Sequence, residues 1–423
     1  MARPSSSRIA VLFLLVLSGA FLAAVVTLTP WQPLPGATIQ AAVPGSFFTA
    51  AQQARSERYF DLVKWASWGN LAAGIAVTSV PGFTGLGRAL VDRVRARLSH
   101  CWGQVTVLVV AVLVAQRLVT LPGAVWQQHV SRDFGLSTQP WPSFALDQLL
   151  AMMITLVLST LGMLLLVAVA RRWPDWWFVP AAGAAFLLVI VLSFARPVVV
   201  EPLFNHFTPL ADGALRQDLL TLAARDGIDV SDVLVADASR RTTALNAYVS
   251  GFGSTKRIVI YDTLLKAAPD SEVELVVAHE LGHAVRDDVL VGTLEGALGA
   301  SLSVVGLYLV LRPGLLRRRT GAHAAGDPAV VPVIVAVVAV AAFFVLPVQD
   351  TISRHIEARA DAHALDLTRD PTTFVAMQRR LAVTNLSHLE PNPVLGFWFS
   401  DHPPTLDRVG MALAWRRLHR ASP

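Results

Sequence analysis

The chain has 423 residues, of which 54% are hydrophobic and only 15% charged, and its 35 Lys+Arg against 30 Asp+Glu leave a net charge of +5. A soluble domain carries about 25% charged residues, so this composition excludes a disordered chain, counts against an ordinary cytosolic enzyme and points to a multi-pass membrane protein. Lysine occurs only at Lys64, Lys256 and Lys266, which excludes a Lys-rich tail for nucleic acid, and the single cysteine, Cys101, excludes an intrachain disulfide and a cysteine-built metal site.

Crossing a bilayer takes roughly 20 apolar residues, and about seven runs meet that need. The first covers Ile9 to Leu28, behind Arg3 and Arg8. It lacks a small-x-small cleavage site and reads as a retained span rather than a signal peptide. The next runs cover Leu62 to Val80, Gly103 to Leu121, Phe144 to Ala170, and Trp176 to Phe194. Two more lie between Leu290 and Leu311 and between Val330 and Val348. Residues 1–198 are thus an N-terminal membrane region with five spans. Residues 199–423 form a second region, interrupted by spans near 290–311 and 330–348.

Between the fifth and sixth runs the patterning becomes globular. Gly213 to Arg225 reads as an amphipathic helix stopped at Gly227, and Val233 and Val235 mark a short strand. Thr243 to Ser250, Gly251-Phe252-Gly253 and Arg257 to Tyr261 read as a hairpin. Ser271-x-x-Glu274 then reads as a capping box opening a helix.

That helix contains His279-Glu280-Leu281-Gly282-His283, the H-E-x-x-H pattern. Residues i and i+4 share a helix face, so both imidazoles can reach one Zn²⁺ while Glu280 lies beside the open position as a base for water. The bland reading is two surface histidines. A zinc site needs a third protein ligand. A third histidine in the metzincin pattern is excluded, because those positions hold Arg286 and Val289. The glutamates after His283 are Glu295, Glu357 and Glu390. Glu295 falls in an apolar run and Glu390 beside Pro391, whereas Glu357 lies in the helical pattern SRHIEARADAHALDL with Asp361 one turn on. That pair suits one ligand and one carboxylate that orients a ligand histidine. The alternative is a solvated acidic pair, which like-charge repulsion disfavours.

Five motifs in order carry a resemblance: PLFNHFTPL at 202–210, NAYVSGFGSTKRIVIYDTLL at 246–265, HELGH at 279–283, SRHIEARAD at 353–361 and SDHPPTLDR at 400–408. With them the chain resembles the type I CAAX prenyl endopeptidases, integral-membrane zinc metalloproteases with a gluzincin-type site. The resemblance implies a mainly α fold, a polytopic helix bundle with a small α+β zincin-type protease domain. It implies one Zn²⁺ per chain held by His279, His283 and Glu357, with Glu280 as the base. Asp361 would donate a proton or orient a ligand, His402 would stabilise the oxyanion, and Asn246 and Arg408 would line the substrate site. The implied partners are a peptide or protein substrate, lipid-modified or not, and the lipid bilayer, with an extended peptide pairing to a strand edge.

The substrate stays open between prenylated CAAX-like proteins and non-prenylated peptides cut in quality control. The Arg-for-Lys bias points to a GC-rich bacterial genome and hence a plasma membrane. A non-enzymatic scaffold with a relic site is the third reading. The arginines at 88–97, Arg171, Arg172, Arg312 and Arg317 to Arg319 place their loops in the cytoplasm and the 199–289 segment outside. The family resemblance implies the opposite orientation.

Overall fold

The computed structural model describes residues 6–251, 256–311 and 320–420. Expectations that involve Arg3, Phe252, Gly253, Arg312 and Arg317 to Arg319 lie outside the described residues. The N-terminal half is helical: α1 Ser6–Leu28, α2 Ala50–Phe83, α3 Gly85–Arg95, α4 Cys101–Asp133, α5 Trp141–Arg172 and α6 Phe178–Ala195. A π turn, Arg196–Val200, joins α6 to α7, Glu201–Phe204. Then come β1 Phe207–Pro209, α8 Ala214–Arg225, β2 Asp232–Ala236, β3 Ala247–Ser250, β4 Arg257–Tyr261 and α9 Asp262–Ala267. The remaining helices are α10 Asp270–Val285, α11 Asp288–Val310, α12 Val331–Thr368, α13 Pro371–Thr384, α14 Pro393–Phe399 and α15 Thr405–Arg420.

Among the described residues, six helical segments are long and apolar enough to cross a membrane: α1, α4, α5, α6 with α7, α11 and α12. Their large side chains point outward where lipid would meet them, with Leu12 61%, Leu161 58% and Leu187 62% exposed. The other expected run, Leu62 to Val80, lies in α2, which packs chiefly on α4 and α12. Aromatic and aliphatic residues such as Trp177, Phe178, Leu108 and Val331 form the core between these helices. Within α11, Glu295 is enclosed, and its Oε1 has no hydrogen-bond partner among the described residues.

A second core belongs to the protease region. The sheet runs β1-β2-β4-β3, with β2 and β4 parallel and the outer pairs antiparallel. Val259 lies opposite Leu234 on one side and Tyr248 on the other, so the two strands expected of the hairpin pair antiparallel, the first of them only from Ala247. Ile258 and Ile260 point into a cluster with Leu275, Leu281, Leu365 and Trp415. One expectation fails here: α10 starts at Asp270 with Pro269 as its N-cap, and no capping box forms at Ser271 and Glu274.

Two features position the site. First, α12 is continuous over 38 residues. Its first half is packed among the membrane helices, and it carries Glu357 about 39 Å beyond Val331 at 1.5 Å per residue. It crosses α10 at Gly282, where a Cβ would lie 3.1 Å from His363 and 3.2 Å from the Ala360 backbone. Second, the segment between α1 and α2 runs back over the protease core. Leu34 and Ile39 pack on that core, and the Ala42 amide donates to the Leu406 carbonyl at 2.9 Å. A Cβ on Gly410 would meet the Gln40 carbonyl oxygen at 2.0 Å, so α15 sits there only because position 410 lacks a side chain.

Candidate active site

The α10–α12 crossing brings the predicted side chains together. His279 and His283, one turn apart on α10, direct their Nε2 atoms to within 3.3 Å of each other. Glu357 reaches both from α12, with Oε2 3.2 Å from His279 Nε2 and Oε1 3.4 Å from His283 Nε2. The donor atoms of the three residues lie within 4.8 Å of one another. Tetrahedral metal–ligand distances of about 2.0–2.1 Å put ligand atoms about 3.4 Å apart, which these separations match. Glu357 Oε2 is also buried with no hydrogen-bond partner among the described residues. An orphaned carboxylate oxygen facing two imidazoles suits a divalent cation and would otherwise be costly.

Each histidine is held from behind. His279 Nδ1 lies 2.9 Å from Asp361 Oδ1, and Asp361 has no exposed surface. Arg408, from α15, donates to both oxygens of Asp361, through Nε at 2.7 Å and through Nη2. His283 Nδ1 lies 2.9 Å from Asp288 Oδ2, in the first turn of α11, and Arg359 donates to the other oxygen of Asp288. Two His–Asp–Arg chains therefore converge on one point, an arrangement that fixes ring orientation and tautomer. Sequence reading found Asp361 and Arg408 but missed Asp288 and Arg359. The only available signal was the Asp287-Asp288 pair after the histidines, and helical spacing does not select between those two residues.

The carboxylates set the proton affinities. Burial works against both imidazolium forms. The facing carboxylates of Asp361 and Glu357 nevertheless raise His279, and those of Asp288 and Glu357 push His283 up to about 10. Burial raises the Glu280 carboxyl above the ordinary carboxylate range, against the pull of the two histidines.

His402 enters from the loop before α15. Its Nε2 lies 3.3 Å from Glu357 Oε2, and its Nδ1 is 2.9 Å from Asp401, whose hydrogen bond raises its pKa. At 53% side-chain exposure it faces open space rather than core.

Two cavities meet at this point. The larger, about 760 Å³, extends from His279, Glu280 and Glu357 past Arg408 and Leu381 to Phe60 and Trp68 of α2. The smaller, about 410 Å³, is bounded by Ala247, Tyr248 and Val249 of β3, together with His283 and Lys256. Asn246 is exposed and lines both. Among the described residues β3 pairs within the sheet only with β4, and Ala247, Tyr248 and Val249 place it on the wall of the smaller cavity. Lys256 donates to the Ala284 carbonyl at 3.0 Å and to Asp287 at 3.2 Å, which closes the end of α10.

Comparison with known proteins places this arrangement. The family model described as peptidase family M48 matches residues 209–416, and that described as CAAX prenyl protease N-terminal, five membrane helices, matches residues 39–206. An uncharacterized metalloprotease, YhfN, of Bacillus subtilis is 30% identical over 373 residues, 86% of each chain. A CAAX prenyl protease 1 homolog of Oryza sativa is 28% identical over 70% of each chain. The crystal structure of S. mikatae Ste24p shares the fold, with a TM-score of 0.70 at 19% identity over 96% of this chain and 97% of that one.

Proposed function

The chain belongs to peptidase family M48 and is a membrane metalloprotease resembling the CAAX prenyl proteases; from that premise we propose that it hydrolyses peptide bonds with one zinc ion, held by His279, His283 and Glu357. The observation that carries the metal assignment is the spacing of 3.2–3.4 Å between the three residues' facing donor atoms, with Glu280 beside them in both cavities. Two imidazole nitrogens and one carboxylate leaving a position open are the donor set of a catalytic zinc.

Zinc bound there would polarise the scissile carbonyl and make water acidic enough to lose a proton near neutrality. Glu280 accepts that proton and delivers it to the leaving amine. Its raised proton affinity suits both directions of transfer. His402, with Nδ1 tied to Asp401, presents Nε2–H to the oxygen on which charge develops. Asp361 is fully buried and bonded to both His279 and Arg408, so it is assigned to orienting His279. Arg408 is assigned to holding Asp361 in place. The open edge of β3 would take the substrate backbone as an added strand, with Asn246 at the start of that edge.

The proposed substrate is a CAAX-like C-terminal peptide. The test is hydrolysis of a farnesylated peptide and of its unmodified counterpart by purified protein. Chelation should abolish cleavage and zinc restore it, and Glu280→Gln should lower kcat by about 10²–10⁴-fold. Equal rates on the two peptides would move the assignment to non-prenylated substrates. Full activity in Glu280→Gln would end it.

A further inference from the structure

His402 is the catalytic candidate with the most exposed side chain. Its side chain is half exposed, and it sits in a short loop, ahead of Pro403 and Pro404, between α14 and α15. Its Nε2 nevertheless stops 3.3 Å from Glu357 Oε2. Something must fix the backbone that carries it.

Arg354 sits on α12 one turn before Glu357, and the two share a helix face. Its Nη1 donates to the Gly396 carbonyl at 3.0 Å and to the Ser400 carbonyl, and its Nη2 donates to Thr351 Oγ1 at 2.8 Å. Gly396 and Ser400 are in the last turn and at the C-cap of α14. The Gly396 carbonyl also accepts the Ser400 amide at 3.1 Å, and both carbonyls lie at the negative end of the helix dipole, so a guanidinium is well matched to them. Among the described residues Arg354 makes no ion pair, and its charge is spent on main-chain oxygens. The Ser400 carbonyl is two residues from His402. α14 is also anchored to α12 further along, where Trp398 Nε1 donates to the Phe343 carbonyl at 3.2 Å and its ring stacks on Phe343 at 4.9 Å. Both anchors fall in the last turn of α14, and the Arg354 bond to Ser400 is the one nearer His402.

We propose that Arg354 is a positioning residue for the reaction: it clamps the end of α14 to the helix that carries Glu357 and so sets where His402 stands relative to the scissile carbonyl. The assignment rests on the function proposed above and adds a residue to it. Loss of the clamp should leave the metal ligands and the strand edge intact. The effect should therefore fall on kcat rather than on KM, and should run through His402 alone.

The experiment is a mutant cycle on the full-length, zinc-loaded protein, with peptide hydrolysis read as kcat and KM and zinc content measured for each variant. His402→Ala should lower kcat by about 10²-fold. Arg354→Ala should lower it at least tenfold, with KM within twofold of wild type and one zinc per chain retained. The double variant should be no worse than His402→Ala by more than twofold, because the clamp has nothing left to position. Arg354→Lys, which keeps a charge but not the fork, should recover part of the loss and guards against misreading a folding defect. Losses that multiply in the double variant, an effect confined to KM, or zinc lost from Arg354→Ala each overturn the assignment. A wild-type protein without metal-dependent hydrolysis would bring down the function itself, a result distinct from multiplicative losses in an active enzyme.

Discussion

The two histidines are supported by the same chemistry in different settings. Behind His279, Asp361 is sealed in the core and Arg408 reaches it from α15. Behind His283, Asp288 opens α11 at the wall of the smaller cavity, next to a left-handed Asp287 at φ 50°. The deep chain joins three elements far apart in sequence, whereas the chain at the mouth is made largely where one helix hands over to the next. The difference predicts that the deep support carries fold and metal together, while the outer one tunes the metal alone.

The sharpest way to break this contrast is Asp361→Ala. It leaves the Arg408 charge buried without its partner, and the loss should be about 3–5 kcal/mol of stability, read by denaturant unfolding in detergent. An unchanged midpoint would show that the deep chain bears no structural load. Next in size is Asp288→Asn, which keeps the shape. The fold should survive while zinc affinity drops about 10–100-fold, measured by competition with a chromophoric chelator. If both variants lose fold and metal in equal measure, the contrast is gone.

Proton linkage gives a smaller effect with a definite sign. In chelated protein, His283 is raised from 6.5 to about 10 by Asp288 and Glu357, with burial opposing. A raised folded-state pKa gives stabilisation that is full below about 6.5 and lost as pH climbs through about 10. The midpoint of thermal unfolding should therefore fall over that window without metal. The decline should be absent with zinc, which requires neutral imidazoles. A flat metal-free profile would contradict the geometry at His283. Smallest of all is Lys256→Ala, which removes a bond to the Ala284 carbonyl at the end of α10. About 0.5–1 kcal/mol should be lost, with zinc affinity unchanged. A tenfold fall in affinity would mean that the outer support depends on the helix end as well as on Asp288.

The asymmetry also explains what the sequence could disclose. His279, Glu280 and His283 are legible because one helical turn separates the ligands. Glu357 is legible because few glutamates remain and one lies in a helical pattern. Asp288 is hidden because the helix breaks at Asp287, and beyond a break helical spacing no longer says which face a residue takes. Arg359 is hidden because on α12 it stands two residues from Glu357, a spacing that does not place side chains together. β1 escaped notice because it has three residues and ends in Pro209. The continuity of α12 was obscured by Pro347 and by the shift from apolar to charged composition after it, though Pro347 removes only its own bond to the Phe343 carbonyl, which accepts from Trp398 Nε1 instead.

Gly410 rests on the Gln40 carbonyl, and the same helix supplies Arg408. The ribosome makes these two partners at nearly opposite moments. A nascent chain already displaying both imidazoles still lacks the residue that locks one of them, and the helix that brings it packs through Gly410 on a stretch threaded out some 370 residues earlier. The bracing of His279 by way of Asp361 is therefore completed only when a late helix has found its early strap.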